Sequence, residues 1–145
     1  MLGDFDKSED LAQETLAKVA RRWPRVRHME NPTAYARRIL FHLALEEHAR
    51  RHRRPETLGD VPEQSVSDRT SAIAMYDEVA TAMAQVPPRQ RATLVLRFWE
   101  DLPESEVAAV LGCSVGTVKS QTSKGLKRMR QLLSAVDRDL ASKQA

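Results

Sequence analysis

Between residues 111 and 133 the chain reads LGCSVGTVKSQTSKGLKRMRQLL, with five lysines and arginines and no carboxylate. The whole chain is nearly balanced, at 23 basic against 20 acidic residues, so the loss of every acid from this stretch is local. On a helical period Thr117, Gln121, Lys124 and Arg128 share a face, flanked by Lys119, Ser120, Ser123 and Lys127. Hydroxyl, amide and cationic groups of this kind hydrogen-bond base edges and hold phosphates. The chemistry they offer is recognition of a polyanion, with no bond made or broken. A solvated basic helix closing a small bundle is the competing interpretation, but it leaves the missing carboxylates unexplained.

The elements that must position this face can be read on either side of it. Val115, Val118, Thr122, Leu126, Met129 and Leu133 recur at steps of three and four, which lays the opposite face of a long helix onto a bundle. Before it, LPESEVAAVL predicts a short helix with Val107, Ala108 and Leu111 inward, and GCS a tight turn. Gly112 can take the left-handed conformation that stops the first helix, and Ser114 is placed to cap the second. A short helix, a glycine turn and a capped second helix form a helix-turn-helix pattern. Gly116, in the first turn, lets backbone approach a sugar-phosphate strand closely.

The rest of the chain is also helical in pattern, and no alternating strand stands out. Ser8 or Asp10 can cap a first helix with Ala12, Leu16, Val19, Ala20 and Trp23 on one face, ended by Pro24. Its N-terminal part is acidic, a sign that suits the helix dipole. Asn31 and Pro32 open a second helix with Ala36, Ile39, Leu40, Leu43 and Ala44 as its stripe and the basic ARRHRRP at its end. Residues 55–71, rich in Pro, Ser, Gly and acids, read as a flexible linker. Beyond it, Ile73, Tyr76, Val79, Ala80 and Met83 predict a helix closed by Pro87 and Pro88. RQRATLVLRFWED then gives a broader stripe of Ala92, Val95, Leu96 and Trp99, widened by Leu94 and Phe98. The expected architecture is all-α: an N-terminal helical module over 1–54, the linker, a four-helix helix-turn-helix module over 72–136, and a tail over 137–145.

Composition narrows the function classes. With 41% hydrophobic and 30% charged residues the chain is ordinary for a globular protein, and no run approaches the ~20 apolar residues that span a bilayer. The acidic start lacks the apolar run of a signal peptide, so a cytoplasmic protein with no membrane partner is expected. One cysteine, Cys113, excludes an internal disulfide and a cysteine-rich zinc site, and it reads as a small packing residue rather than a nucleophile or redox sensor. His48 and His52 lie four apart but stand among Arg50, Arg51, Arg53 and Arg54, which would repel a bound cation; no metal or other cofactor is expected. Trp23, Phe98 and Trp99 read as core rather than as a base-stacking platform. No phosphate-cradling glycine loop and no acid–base pair with a shaped site is visible, so neither an enzyme nor a small-molecule substrate is expected.

VPPRQRATLVLRFWEDLPESEVAAVLGCSVGTVKSQTSKGLKRMRQLL resembles region 4 of the extracytoplasmic-function sigma factors. SEDLAQETLAKVARRW followed by NPTAYARRILFHLALEEHARRHRRP resembles region 2 of the same family, in the SigE-like group common in actinobacteria. The resemblance covers most of residues 8–133, and LGCSVGTVKS and EDLAQET are its specific signatures. It implies that region 4 reads the promoter −35 element, with Thr117, Lys119, Ser120, Gln121, Lys124 and Arg128 on the reading helix. It implies that Asp10, Gln13, Glu14 and Lys18 face the clamp helices of core RNA polymerase. It also implies that region 2 engages the −10 element, for which the basic residues Arg50, Arg51, Arg53 and Arg54 are the candidates, and an anti-sigma factor is a candidate further partner.

The chain departs from the family pattern in two places. His42, Leu45 and His48 stand where an Asn, an Arg and an aromatic are usual, with Glu46 and Glu47 between them, and carboxylates there oppose DNA. Gln121 replaces an Arg, which retunes base preference because Gln pairs bidentately with adenine. Two rival readings stand beside this one: a stand-alone helix-turn-helix regulator, against which the acidic helix with EDLAQET argues, and a degenerate sigma-like protein that titrates polymerase or an anti-sigma factor, which Glu46 and Glu47 keep open. The resemblance also implies further helix ahead of the acidic one, where this sequence has some seven residues. A partly exposed patch around Leu16, Val19, Ile39 and Leu43, with incomplete order in the N-terminal half, is therefore expected.

Overall fold

A computed structural model of the chain describes residues 5–53 and 71–144; Arg54 and residues 55–70 of the expected linker lie outside the described residues, and Ser71, expected in the linker, opens a helix instead. Seven α-helices run α1 Phe5–Arg21, α2 Trp23–Val26, α3 Pro32–Arg53, α4 Ser71–Ala84, α5 Pro88–Leu94, α6 Glu104–Leu111 and α7 Val115–Gln144, with a π-helical turn over Val95–Trp99 after α5. No strand occurs among the described residues, as the all-α expectation requires.

α1 begins before the caps expected at Ser8 and Asp10, and it turns a different face inward than its apolar pattern suggests. Leu11 and Thr15 are buried against α3, while Leu16 is 67% exposed and Trp23 51% exposed. Thr15 can be buried because its hydroxyl donates to the Leu11 carbonyl at 2.7 Å, leaving no unpaired polar atom. Leu11 then meets Leu43 and Ala44, with Ile39 and Leu40 at the edge. Pro24 does not end the helical path outright. It occupies the first turn of α2, where a missing N–H is harmless, and α2 seats Val26 in a fully buried position.

α3 is capped as expected, with Asn31 Oδ1 accepting the Ala34 N–H at 2.9 Å. It is buried on two sides. One side carries Leu43 and Ala44 toward α1. The other carries Phe41 into a core formed by Ala92, Leu96, Leu102, Val107, Ala108, Val110, Leu111 and Val118, with Leu45 packed at its margin. Of the patch expected to be exposed, Leu43 is buried against Leu11 of α1 and Leu16 remains exposed, while the C-terminal module takes up Phe41 instead. An ion pair crosses the same contact, Arg37 Nη2 to Glu100 Oε2 at 2.7 Å.

In the C-terminal module, Arg91 is buried beneath the end of α4. Its Nη2 donates to the carbonyls of Ala84 at 2.7 Å and Val86 at 3.0 Å, and its Nε to Val86 at 3.3 Å, satisfying orphan carbonyls at a helix terminus. After Leu94 the helix widens. The Glu100 N–H donates five residues back to the Val95 carbonyl at 3.0 Å. Asp101 then takes a positive φ of 52° to turn the chain into Leu102. This π turn shifts the register, so Phe98 is 59% and Trp99 69% exposed rather than in the core. With Tyr76 set edge-on to Trp99 at 5.9 Å, they line an open apolar groove of about 650 Å³ that continues past Val79, Met83, Met129 and Leu133.

Candidate nucleic-acid interface

The helix-turn-helix is built by local rules that the sequence states. Gly112 ends α6 at φ 64°, ψ 42°, the left-handed conformation, and its N–H donates to the Ala108 carbonyl. Ser114 caps α7: its Oγ accepts the Thr117 N–H at 3.1 Å and lies 2.9 Å from Thr117 Oγ1. α7 is fixed to the module by Val118, fully buried, and by Gly125, where it crosses α5. A Cβ at Gly125 would lie 3.0 Å from Leu94 Cδ1, so a glycine is what lets the two helices approach. This stripe, at 118 and 125, is flanked by Thr122 and Leu126, both half-buried. Val115, expected inward, is largely exposed at the start of the helix.

The opposite face is open. Lys119, Ser120, Ser123, Lys124, Lys127 and Arg128 are exposed, which brings four cations and two hydroxyls onto one side of one helix. Thr117 and Gln121 are half-buried; the Thr117 hydroxyl is engaged by the cap, and Gln121 sits at the edge of the face rather than at its crest. Lys119 Nζ is 3.9 Å from Glu104 Oε2 on α6, a long contact that leaves the ammonium largely solvated.

The N-terminal candidates divide differently. Asp10, Gln13, Glu14 and Lys18 are all exposed on α1, with Gln13 Nε2 donating to Glu9 Oε1 at 3.2 Å and Lys18 paired to Glu14 at 3.1 Å. Leu16 adds exposed apolar surface on the same helix, and Trp23 does so at the start of α2. On α3, Arg50 and Arg51 both turn back to Glu47, at 3.1 and 3.3 Å, while Arg53 is exposed. Their charge is therefore partly neutralised within the helix.

A second basic feature escaped sequence reasoning. Lys18, Arg21, Arg22 and Arg38 line a cleft of about 650 Å³ between α1 and α3, together with His42 and one acid, Glu46, and Arg22 Nη1 donates to Tyr35 Oη at 3.1 Å. Its members are scattered over two helices, so only the α1–α3 pairing brings them together. Among the described residues no group of three or more metal-ligating side chains exists, and no helix is long and apolar enough to cross a membrane.

An all-helical chain with a capped helix-turn-helix and a carboxylate-free outer face belongs to the class of helix-turn-helix nucleic-acid-binding proteins. Comparison with known proteins narrows the class. Residues 1–54 match sigma-70 region 2, and residues 76–129 match sigma-70 region 4. The chain is 34% identical over 132 residues to the RNA polymerase sigma-E factor of Streptomyces antibioticus, covering 91% of this chain and 73% of that one. It is 33% identical over 132 residues to the sigma-E factor of Streptomyces coelicolor, covering 91% and 75%. Among solved structures, the sigma factor RpoE in complex with the anti-sigma factor NepR from Bartonella quintana matches with a TM-score of 0.68 at 25% identity, over 91% of this chain and 84% of that one. The chain belongs to the sigma-70 family of RNA polymerase sigma factors, among its extracytoplasmic-function, SigE-like members.

Proposed function

We propose that this protein binds core RNA polymerase and directs it to a subset of promoters, α7 reading the −35 element and the N-terminal helices engaging the −10 element. The observation that carries this is the exposed, carboxylate-free face of a capped recognition helix, joined in one chain to an acidic helix that matches region 2. Lys119, Ser120, Lys124 and Arg128 hold and read the −35 duplex, with Thr117 and Gln121 at the rim. Asp10, Gln13, Glu14 and Lys18 meet the polymerase clamp helices, and the exposed Leu16 beside them supplies apolar area for a protein partner. The cleft cations Arg21, Arg22 and Arg38 suit a phosphate strand at −10 better than Arg50 and Arg51, which Glu47 already engages. Arg53 and Arg54 complete the basic end. The protein acts in the cytoplasm, requires no cofactor and catalyses nothing itself; polymerase performs the chemistry. The sigma-70 relative solved with an anti-sigma factor supports the same kind of partner here.

The test is run-off transcription by core polymerase on pooled genomic fragments, with and without the protein. Defined new transcripts are expected, and reversal of Asp10 and Glu14 to lysine abolishes them while −35 duplex binding survives. Retained polymerase association by that double variant would place the polymerase contact elsewhere, and no association even by the wild type would favour a stand-alone regulator. The Glu47 contacts to Arg50 and Arg51 favour one second reading, a sigma-like protein that titrates polymerase or an anti-sigma factor. Tight polymerase binding without any transcript would select it.

A further inference from the structure

Glu104 puts a carboxylate at the rim of a helical face that has none of its own. Residues 115–133 of α7 contain no acid, yet Glu104 Oε2, in the first turn of α6, lies 3.9 Å from Lys119 Nζ. The pair does little to hold the two helices together. Its side chains keep 66% (Lys119) and 31% (Glu104) of their accessibility, and an ion pair this long and solvated adds little stability. Both groups therefore remain free to meet a ligand. For Glu104 that is a problem to be explained, because a carboxylate beside a duplex is repelled by the phosphates whatever the sequence. Only base edges offer it a partner: it has acceptors alone, and the amine donors of the major groove are cytosine N4 and adenine N6. Lys119 has donors alone and needs acceptors, of which guanine O6 and N7 are the adjacent pair.

We infer that Glu104 and Lys119 together read one G·C base pair of the −35 element, Lys119 donating to guanine O6 and N7 while Glu104 accepts from cytosine N4. The inference rests on the −35 reading by α7 proposed above. In a helix-turn-helix the N-terminal residues of the second helix contact base edges, and Lys119 stands one turn in from the start of α7 at Val115. Guanine O6 and cytosine N4 hydrogen-bond each other across the pair at about 2.9 Å. A donor and an acceptor whose tips lie 3.9 Å apart match the spacing of the two atoms they address. An A·T pair fits less well: adenine N6 satisfies Glu104, but thymine gives Lys119 the single acceptor O4 beside a methyl group. The reversed C·G pair sets the amine under the cation and the acceptors under the carboxylate, so orientation is read as well. The charge of Lys119 adds affinity on every sequence; discrimination at one position is what Glu104 adds.

The test is transcription by core polymerase carrying the full chain, from a promoter library randomised across the −35 element, with the transcripts sequenced. The wild type is expected to favour one G·C pair, in one orientation, by about fivefold or more over other bases at that position. Glu104→Ala and Lys119→Ala should each flatten the preference at that same position and leave the others unchanged. The double variant should be no flatter there than either single one, because the two side chains read as a unit. Far-UV circular dichroism checks the helices; should Glu104→Ala unfold, Glu104→Gln, which keeps the shape and exchanges one acceptor for a donor, is scored in its place. An even rise in yield over all sequences in the Glu104 variants, with an unchanged consensus, would reduce Glu104 to a repulsive neighbour and overturn the inference. Preferences lost at two different positions would overturn it too. A wild type that gives transcripts with no −35 preference, or no transcript, instead removes the promoter-reading function on which the inference rests.

Discussion

The Ser114 hydroxyl and the Thr117 N–H meet at 3.1 Å, and with Gly112 two residues earlier in the left-handed conformation they fix where the recognition helix starts. One side-chain oxygen thus sets the rotational phase of every residue on the exposed cationic face. Ser114→Ala should lower stability by about 1 kcal/mol, the usual cost of losing an N-cap, seen as a fall in melting temperature. Ser114→Asp keeps the cap but adds a carboxylate beside the DNA face. It should melt near the wild type yet bind −35 duplex more weakly. Equal DNA affinity for wild type and Ser114→Asp would remove this end of α7 from the interface.

Lys119 and Lys124 are both exposed, and the 3.9 Å approach of Glu104 to Lys119 is too long and solvated to neutralise it. Replacing either with Ala should weaken promoter binding across all sequences and reduce the slope of log affinity against log salt by about 0.9. Titrations at several salt concentrations measure this directly. An unchanged slope in both variants places the phosphates elsewhere.

Much of this site was legible because its geometry is local. Gly112, Ser114 and Asn31 act on neighbours within four residues, so residue type and spacing are enough to place them. The inward face of α1 was not legible: an apolar count favours Leu16 over Thr15, but the hydroxyl bond to Leu11 makes Thr15 the better buried residue. Phe98 and Trp99 were misplaced because a single π turn, invisible to a 3.6-residue period, rotates the side chains it carries away from the expected face. Arg37 and Glu100 are 63 residues apart, and nothing periodic announces such a pair. The cationic cleft was missed for the same reason.

Gly125 was open to notice and passed over: a glycine on the inward side of a helical pattern costs about 1 kcal/mol against alanine unless something needs the space. Leu94 Cγ and Cδ1, at 3.1 and 3.0 Å from a built Cβ, are what need it. For Gly125→Ala the gain in helix propensity and the cost of crowding Leu94 are of similar size, and stability should change little. Gly125→Leu cannot be accommodated without parting α5 from α7. It should destabilise the C-terminal module by about 1–3 kcal/mol or more, read from denaturant midpoints. Wild-type stability in Gly125→Leu would show that the crossing is looser than described.

His48 gives the fold a pH dependence of definite sign. Its imidazole is held below the ordinary value of 6.5, first by burial and then by His52, Arg91 and Arg51. Arg91 approaches from α5, whereas the other two lie on its own helix, so unfolding the chain relieves burial and Arg91. Well above pH 6.5 the imidazole is neutral in both the folded and the unfolded chain and contributes no pH dependence. As the pH falls through that value, the unfolded chain takes up the proton first, and the fold is disfavoured progressively until its own depressed value is passed. Melting temperature should therefore fall as the pH is lowered from about 7.5 to about 5.5. His48→Leu removes the titrating group and should flatten this dependence relative to the wild type. Identical pH profiles for the two proteins would assign the dependence to other groups.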